Sequence, residues 1–246
     1  MENISTYFII NIFTIIIPLI FSFDKKVAFY KSWPAFFPAL FITALLFIAW
    51  DVIFTQYGVW GFNELHLQGI YLAGLPVEEW LFFVTIPYAV VFTYRVLNVW
   101  FPMNTHSEMQ RTISYALLII MLAGTLFFYD RLYSVIVFSL SAIFILIVEW
   151  FLRASWLLHF YRTFLIILFP FFIVNGILTG TWLNEPVVWY NNSMNAGIRL
   201  ATIPMEDIAY AFLLTGINIA LLEWFQHRKK LQPFLPGTEL SETTHK

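Results

Sequence analysis

Gly69-Ile70-Tyr71-Leu72-Ala73-Gly74-Leu75-Pro76-Val77-Glu78-Glu79 returns 128 residues later as Gly197-Ile198-Arg199-Leu200-Ala201-Thr202-Ile203-Pro204-Met205-Glu206-Asp207. Six positions are identical and three are conservative. In each copy the acidic pair leads straight into an uncharged run, 80–94 in the first and 208–222 in the second. Proline at the first helical position with acids in the first turn is an ordinary helix start, favoured by fixed φ and by the macrodipole. The length of the runs argues for more than a cap. Fifteen residues span about 22 Å as a helix, short of the roughly 30 Å hydrocarbon layer. The spacing therefore predicts a thinned bilayer or carboxylates inside the low-dielectric region, where ionisable groups usually face a cavity and usually matter.

The similarity extends upstream of both motifs. Phe62-Asn63 meets Tyr190-Asn191 at the same offset, Trp60 and Trp182 precede the two motifs, and Phe29-Tyr30-Lys31 resembles Phe160-Tyr161-Arg162. Similarity at a fixed period means a duplicated structural unit. Further uncharged stretches cover 5–23, 32–50, 112–129, 132–148 and 163–184. Strands are not expected to span, because no stretch alternates apolar and polar residues. The expected fold is all-α: a polytopic membrane protein of seven transmembrane helices, in which two parallel three-helix repeats are joined by a linker helix. An odd linker restores orientation, so both acidic motifs face one side and one cavity. The expected boundaries are 1–100 for the first repeat, 101–131 for linker helix 4, 132–230 for the second repeat and 231–246 for a disordered cytoplasmic tail, polar and carrying Pro233 and Pro236.

Composition fits lipid as the solvent. Of 246 residues, 60% are hydrophobic and only 11% charged, against about a quarter charged in soluble domains. Lys25, Lys26, Lys31, Arg95, Arg111, Arg153, Arg162, Arg228, Lys229 and Lys230 thread to one side, and Arg131 and Arg199 to the other. The positive-inside rule then puts the chain in the inner (cytoplasmic) membrane with its N-terminus outside and its C-terminus in the cytoplasm. The first apolar stretch is too long for a signal h-region and reads as a retained helix. Cysteine is absent, which excludes disulfides, thiolate chemistry and Cys-based metal sites. His66 is the only histidine on the motif side, while His106, His159 and His227 fall on the other, so no metal is expected. No Gly-x-Gly-x-x-Gly fingerprint occurs, no cofactor is expected, and no nucleic-acid partner either.

Glu78, Glu79, Glu206 and Asp207 are the candidate catalytic residues. Desolvation favours a neutral carboxyl, and a second carboxyl nearby favours it further; two carboxyls in unlike surroundings divide into acid and base. Asn63 and Asn191 are candidates to orient a carboxyl, or else serve turn chemistry. Asp51 and its approximate counterpart Asn175 are candidates to complete the site, or else reach the interface. Arg199 has Tyr71 in its place in the first copy and either tunes a carboxylate or snorkels. Trp60, Trp80 and Trp182 are the better aromatic candidates for cation–π contact in a chain whose aromatics are mostly structural. Glu149 and Glu223 end their helices and read as interfacial.

Pro76-Val77-Glu78-Glu79 with Trp80-Leu81-Phe82-Phe83, and Pro204-Met205-Glu206-Asp207, resemble the paired Pro-x-Glu-Glu/Asp motifs of the membrane-bound lycopene cyclase family, in the fused form of the two-subunit bacterial enzymes. The resemblance runs over nearly the whole chain. It implies cofactor-independent β-cyclisation of lycopene to γ-carotene and then β-carotene, an isomerisation in carotenoid biosynthesis. It gives Glu78 or Glu206 as general acid and Glu79 and Asp207 as proton acceptors or tuning partners. It implies lycopene and other carotenoids as ligands, membrane lipid as the surroundings, and other carotenoid-biosynthesis enzymes as candidate partners. A different carotenoid end group and a proton-coupled transporter remain as alternatives. A covalent retinal protein is excluded by the lack of a lysine in 208–224.

Overall fold

The computed structural model describes residues 5–104 and 107–229; the tail 231–246, Lys230 and His106 lie outside them. Within them run seven α-helices: α1 (Thr6–Phe21), α2 (Trp33–Gln56), α3 (Val77–Trp100), α4 (Ser107–Phe127), α5 (Leu132–Leu146), α6 (Leu157–Leu178) and α7 (Glu206–Lys229). Six are long and apolar enough to cross a membrane, α5 by way of the π-helical turn Ile147–Phe151 that continues it. At 16 residues, α1 is shorter and covers about 24 Å. The chain is thus an all-α polytopic membrane protein.

Local chemistry sets the helix starts. Ser5 caps α1, its hydroxyl accepting from the Phe8 amide at 3.0 Å, which satisfies an orphan donor. Pro34 enters the first turn of α2. Pro76 stands one residue before α3, in extended conformation, so the acids occupy the first turn behind it. Both motif helices run 24 residues, past Arg95 and Glu223, and the length is about 36 Å. The short uncharged runs therefore do not mean short helices. Glu223 sits inside the protein, accepting from the buried Tyr94 hydroxyl at 2.9 Å, as does Glu149, which accepts from Gln110 and Ser114 at 2.8 and 3.1 Å. Both carboxyls are buried in the protein rather than exposed at its surface.

The packing crosses over between the halves. α1 lies along α3 and α5 along α7, while α2 lies mainly along α7 and α6 packs on α3. Each motif helix is thus flanked by a helix from the other half. α4 packs on α5.

Three short antiparallel ribbons, which no helical reading anticipates, close the motif end. β1 (Trp60–Phe62) pairs with β4 (Val188–Tyr190), matching Trp60 with Tyr190, Gly61 with Trp189 and Phe62 with Val188. A Cβ on Gly61 would lie 2.3 Å from the Trp189 indole, so only glycine allows that approach. The repeated motif folds the same way twice. β2 (Tyr71–Leu72) pairs with β3 (Leu75–Pro76), and β5 (Arg199–Leu200) with β6 (Ile203–Pro204). Gly69 and Gly197 take φ of 78° and 71°, and Ala73 and Ala201 take 52° and 56°. The first residue of each helical strand exit is tied back: Val77 donates to Ile70 O at 2.9 Å, and Met205 to Ile198 O at 3.1 Å.

Candidate active site

The two carboxyls of each motif point to different places. Glu78 Oε1 accepts from Ser5 Oγ at 2.8 Å and from the Gln68 amide at 2.6 Å. Glu206 Oε1 accepts from Ser134 Oγ at 2.5 Å and from the Ala196 amide at 2.7 Å. Each glutamate thus bolts the base of its hairpin to the start of its motif helix and to α1 or α5. Both are fully buried, and in both Oε2 meets no donor.

Glu79 and Asp207 turn the other way and line a cavity of about 150 Å³, together with Asp51. Tyr7 donates to Glu79 Oε2 at 2.5 Å. Asp207 accepts from Tyr133 at 2.8 Å and from Tyr190 at 3.0 Å. Asp51 Oδ1 accepts from Trp60 Nε1 at 2.5 Å and from Thr55 at 3.3 Å. Asp51 Oδ2 meets no donor among the described residues, and it shares the cavity with the Glu79 carboxyl.

Aromatic rings wall this acidic end. Trp60 lies 5.2 Å from Tyr133, 6.0 Å from Tyr190 and 6.2 Å from Tyr210, centroid to centroid. Their π faces attract a cation. Burial, and next the Asp207 carboxylate beside it, push the Tyr190 phenol well above its usual pKa, so it stays a donor. Away from the acids the lining is mostly apolar, with Phe82, Ile86, Ala89, Val90, Ile167, Pro170, Phe171, Val174, Leu178, Ala211 and Leu214, and Thr14, Asn175 and Thr215 among its few polar members. Thr93, also in the wall, lies fourteen residues beyond Glu79 on α3, about 21 Å along the helix. The cavity is therefore a deep, mostly apolar slot with one acidic end.

Of the candidate residues, Glu79, Asp207, Asp51, Asn175 and Trp60 line this slot, and Glu78 and Glu206 do not. Asn63 and Asn191 build turns, accepting from the Leu65 and Ser193 amides at 3.1 and 3.0 Å; Asn63 also donates to Glu185 at 2.9 Å. Neither touches a cavity carboxyl. Arg199 binds Thr202 O and Asn192 and stands 5.8 Å from the Tyr190 ring centre. Trp80 donates to Leu72 O at 3.1 Å, bracing a hairpin. Trp182 is 77% exposed and lies away from the slot. Tyr7, Tyr133, Tyr190 and Tyr210 were not among the candidates. The replacement of Phe62 and Phe82 by tyrosine at positions 190 and 210, 128 residues on, is a signal for two of them. Tyr7 and Tyr133 sit 126 residues apart, off the 128-residue period, so alignment of the halves hides them.

The family model described as Lycopene cyclase matches residues 4–97 and 130–225. No curated protein and no solved structure matches the chain significantly. The matched segments contain both motif hairpins, Asp51 and every residue bonded to the slot carboxyls, and cover well over half the sequence; the chain belongs to the lycopene cyclase family.

Proposed function

We propose that this protein is a lycopene β-cyclase that closes rings by protonation and deprotonation alone, with Glu79, Asp51 and Asp207 as the reacting acids and bases. The observation that carries this is the placement of all three carboxyls at one end of an apolar slot walled by aromatic rings. A linear isoprenoid end fits the slot by its chemistry: its polyene matches the apolar wall, and its terminal double bond meets the acids.

A proton delivered by Glu79, with Asp51 beside it in the cavity, adds to the terminal double bond. The tertiary cation so formed is attacked by the internal double bond, and a carbon–carbon σ bond closes the six-membered ring at the expense of one π bond. The rings of Trp60, Tyr133, Tyr190 and Tyr210 face the charge while it exists. A different proton then leaves the ring to Asp207, or returns to the Asp51–Glu79 pair, restoring a π bond. Hydrogen and electron counts are unchanged, so the step is an isomerisation. Exclusion of water by the apolar wall protects the cation from capture. Asp51 has Asn175 as its approximate counterpart, so only the Glu79 side carries a carboxyl pair, and this inequality separates acid from base.

The remaining assignments follow from the sequence. Residues 1–100 and 132–230 form two parallel repeats around linker 101–131, with all seven helices in the inner membrane, the motif end outside and the C-terminus in the cytoplasm. Carotenoids, lipid and neighbouring carotenoid enzymes are the partners. Expression in a bacterium that accumulates lycopene tests the activity. β-Carotene is the expected pigment, and unchanged lycopene with the protein inserted contradicts the proposal.

A further inference from the structure

A duplicated chain acting on a substrate with two identical ends suggests one catalytic site per half, each closing one ring. The geometry points to a different arrangement: we infer that both rings close at one site in separate visits, and that the half-cyclised carotenoid leaves the protein between them. The inference rests on the cyclase reading above and deepens it.

Three observations carry it. Glu79 of the first motif and Asp207 of the second line the same cavity, drawn together because each motif helix packs against a helix of the other half. Their hydrogen-bonding partners interlock as well: Trp60, which binds Asp51, packs against Tyr133 and Tyr190, which bind Asp207. At the other ends of α3 and α7 no second acidic terminus adjoins the slot among the described residues. Glu223 and Glu149 are outside its wall, engaged by Tyr94 and by Gln110 and Ser114.

A conjugated polyene is stiff and cannot fold back to bring both ends to one place. With one end against the acids, the other lies down the slot or beyond it. After the first closure the ring occupies the acidic end, and the second end reaches it only if the molecule reverses. A rod cannot turn end over end between packed helices, so it must leave for the bilayer and return in the opposite sense. Each visit repeats the same balanced step, one proton in and one out. The monocyclic carotenoid is accordingly both product and substrate.

The test uses the full-length protein in phospholipid vesicles loaded with isotopically labelled lycopene in excess over protein, with unlabelled monocyclic carotenoid added as a trap. A released intermediate mixes with the trap, so label in the bicyclic product falls in proportion to dilution, and bicyclic product appears after a lag. Bicyclic product that keeps its full label in the presence of the trap overturns the inference. Variants give a second, independent readout. With one site, Glu79→Gln and Asp207→Asn each slow the first and second closures by the same factor. With one site per half, each leaves one closure intact, so that one closure is slowed and the other is not. No ring closure by the unaltered protein overturns the cyclase reading, and this inference with it.

Discussion

Glutamine at position 79 keeps the shape of the side chain and its ability to accept from Tyr7, but it has no carboxyl proton to give. General acid catalysis typically contributes 10²–10⁴-fold, and Glu79→Gln is expected to lower the rate of ring closure by about that range, measured by pigment conversion per inserted protein. Glu78→Gln is expected to act elsewhere. Its carboxyl holds Ser5 and the Gln68 amide away from the slot, so the cost falls on stability, about 1–3 kcal/mol, read as a lower melting temperature in detergent with residual conversion. Tyr190→Phe removes one of two hydroxyls on Asp207 and is expected to slow conversion roughly tenfold, the worth of a hydrogen bond to a charged group. At this scale the sequence was half legible. The tetrapeptides drew attention to four acids, yet adjacent residues on a helix point about 100° apart, and nothing in Glu78-Glu79 says which one meets the hairpin and which the cavity. Asp51 was visible as an unusual charge in an apolar run, and its pairing with Glu79 required the third dimension.

Among the elements, the hairpins hold left-handed backbone at residues other than glycine. Ala73 adopts φ of 52°, a left-handed conformation that costs a residue with a Cβ about 1–2 kcal/mol. Ala73→Gly is therefore expected to hold or raise the melting temperature, with a gain of about 1 kcal/mol at most once the extra freedom of the unfolded chain is counted. Gly61 is the opposite case: with the Trp189 indole against its face, Gly61→Val is expected to destabilise by about 1–3 kcal/mol and to disturb Trp60, its neighbour on Asp51. A Gly61→Val protein as stable and active as the original would contradict this account of the ribbon. The helices were readable because an uncharged run of membrane length has few alternatives. The ribbons were not, because two- and three-residue strands have no periodicity to detect. The repeat did mark their positions, since identical residues at Gly69 and Gly197 and at Ala73 and Ala201 make identical backbone turns.

For the molecule as a whole, the crossed packing explains why duplication leads to one slot rather than two. α2 and α6 each lie against the motif helix of the opposite half, so the motifs cannot separate without pulling the helices apart. Equal offsets along the chain mark the two copies of the motif, but which helix packs on which depends on contacts between distant residues, and no local pattern reports it. The orientation is open to a direct check, because the chain has no cysteine of its own. A cysteine placed at Glu64, in the motif-end loop, is expected to react with a membrane-impermeant maleimide in spheroplasts, and one at His227 only after the membrane is opened. The reverse pattern would invert the topology.

The most direct test of the central claim is pigment analysis in a lycopene-accumulating host expressing the unaltered protein, Glu79→Gln and Glu78→Gln at equal levels in the membrane. The account predicts cyclised carotenoid from the unaltered protein, a near-complete return to lycopene with Glu79→Gln, and substantial conversion with Glu78→Gln. Full conversion by Glu79→Gln would contradict it, because the slot would then be closing rings without the proton assigned to its acidic end.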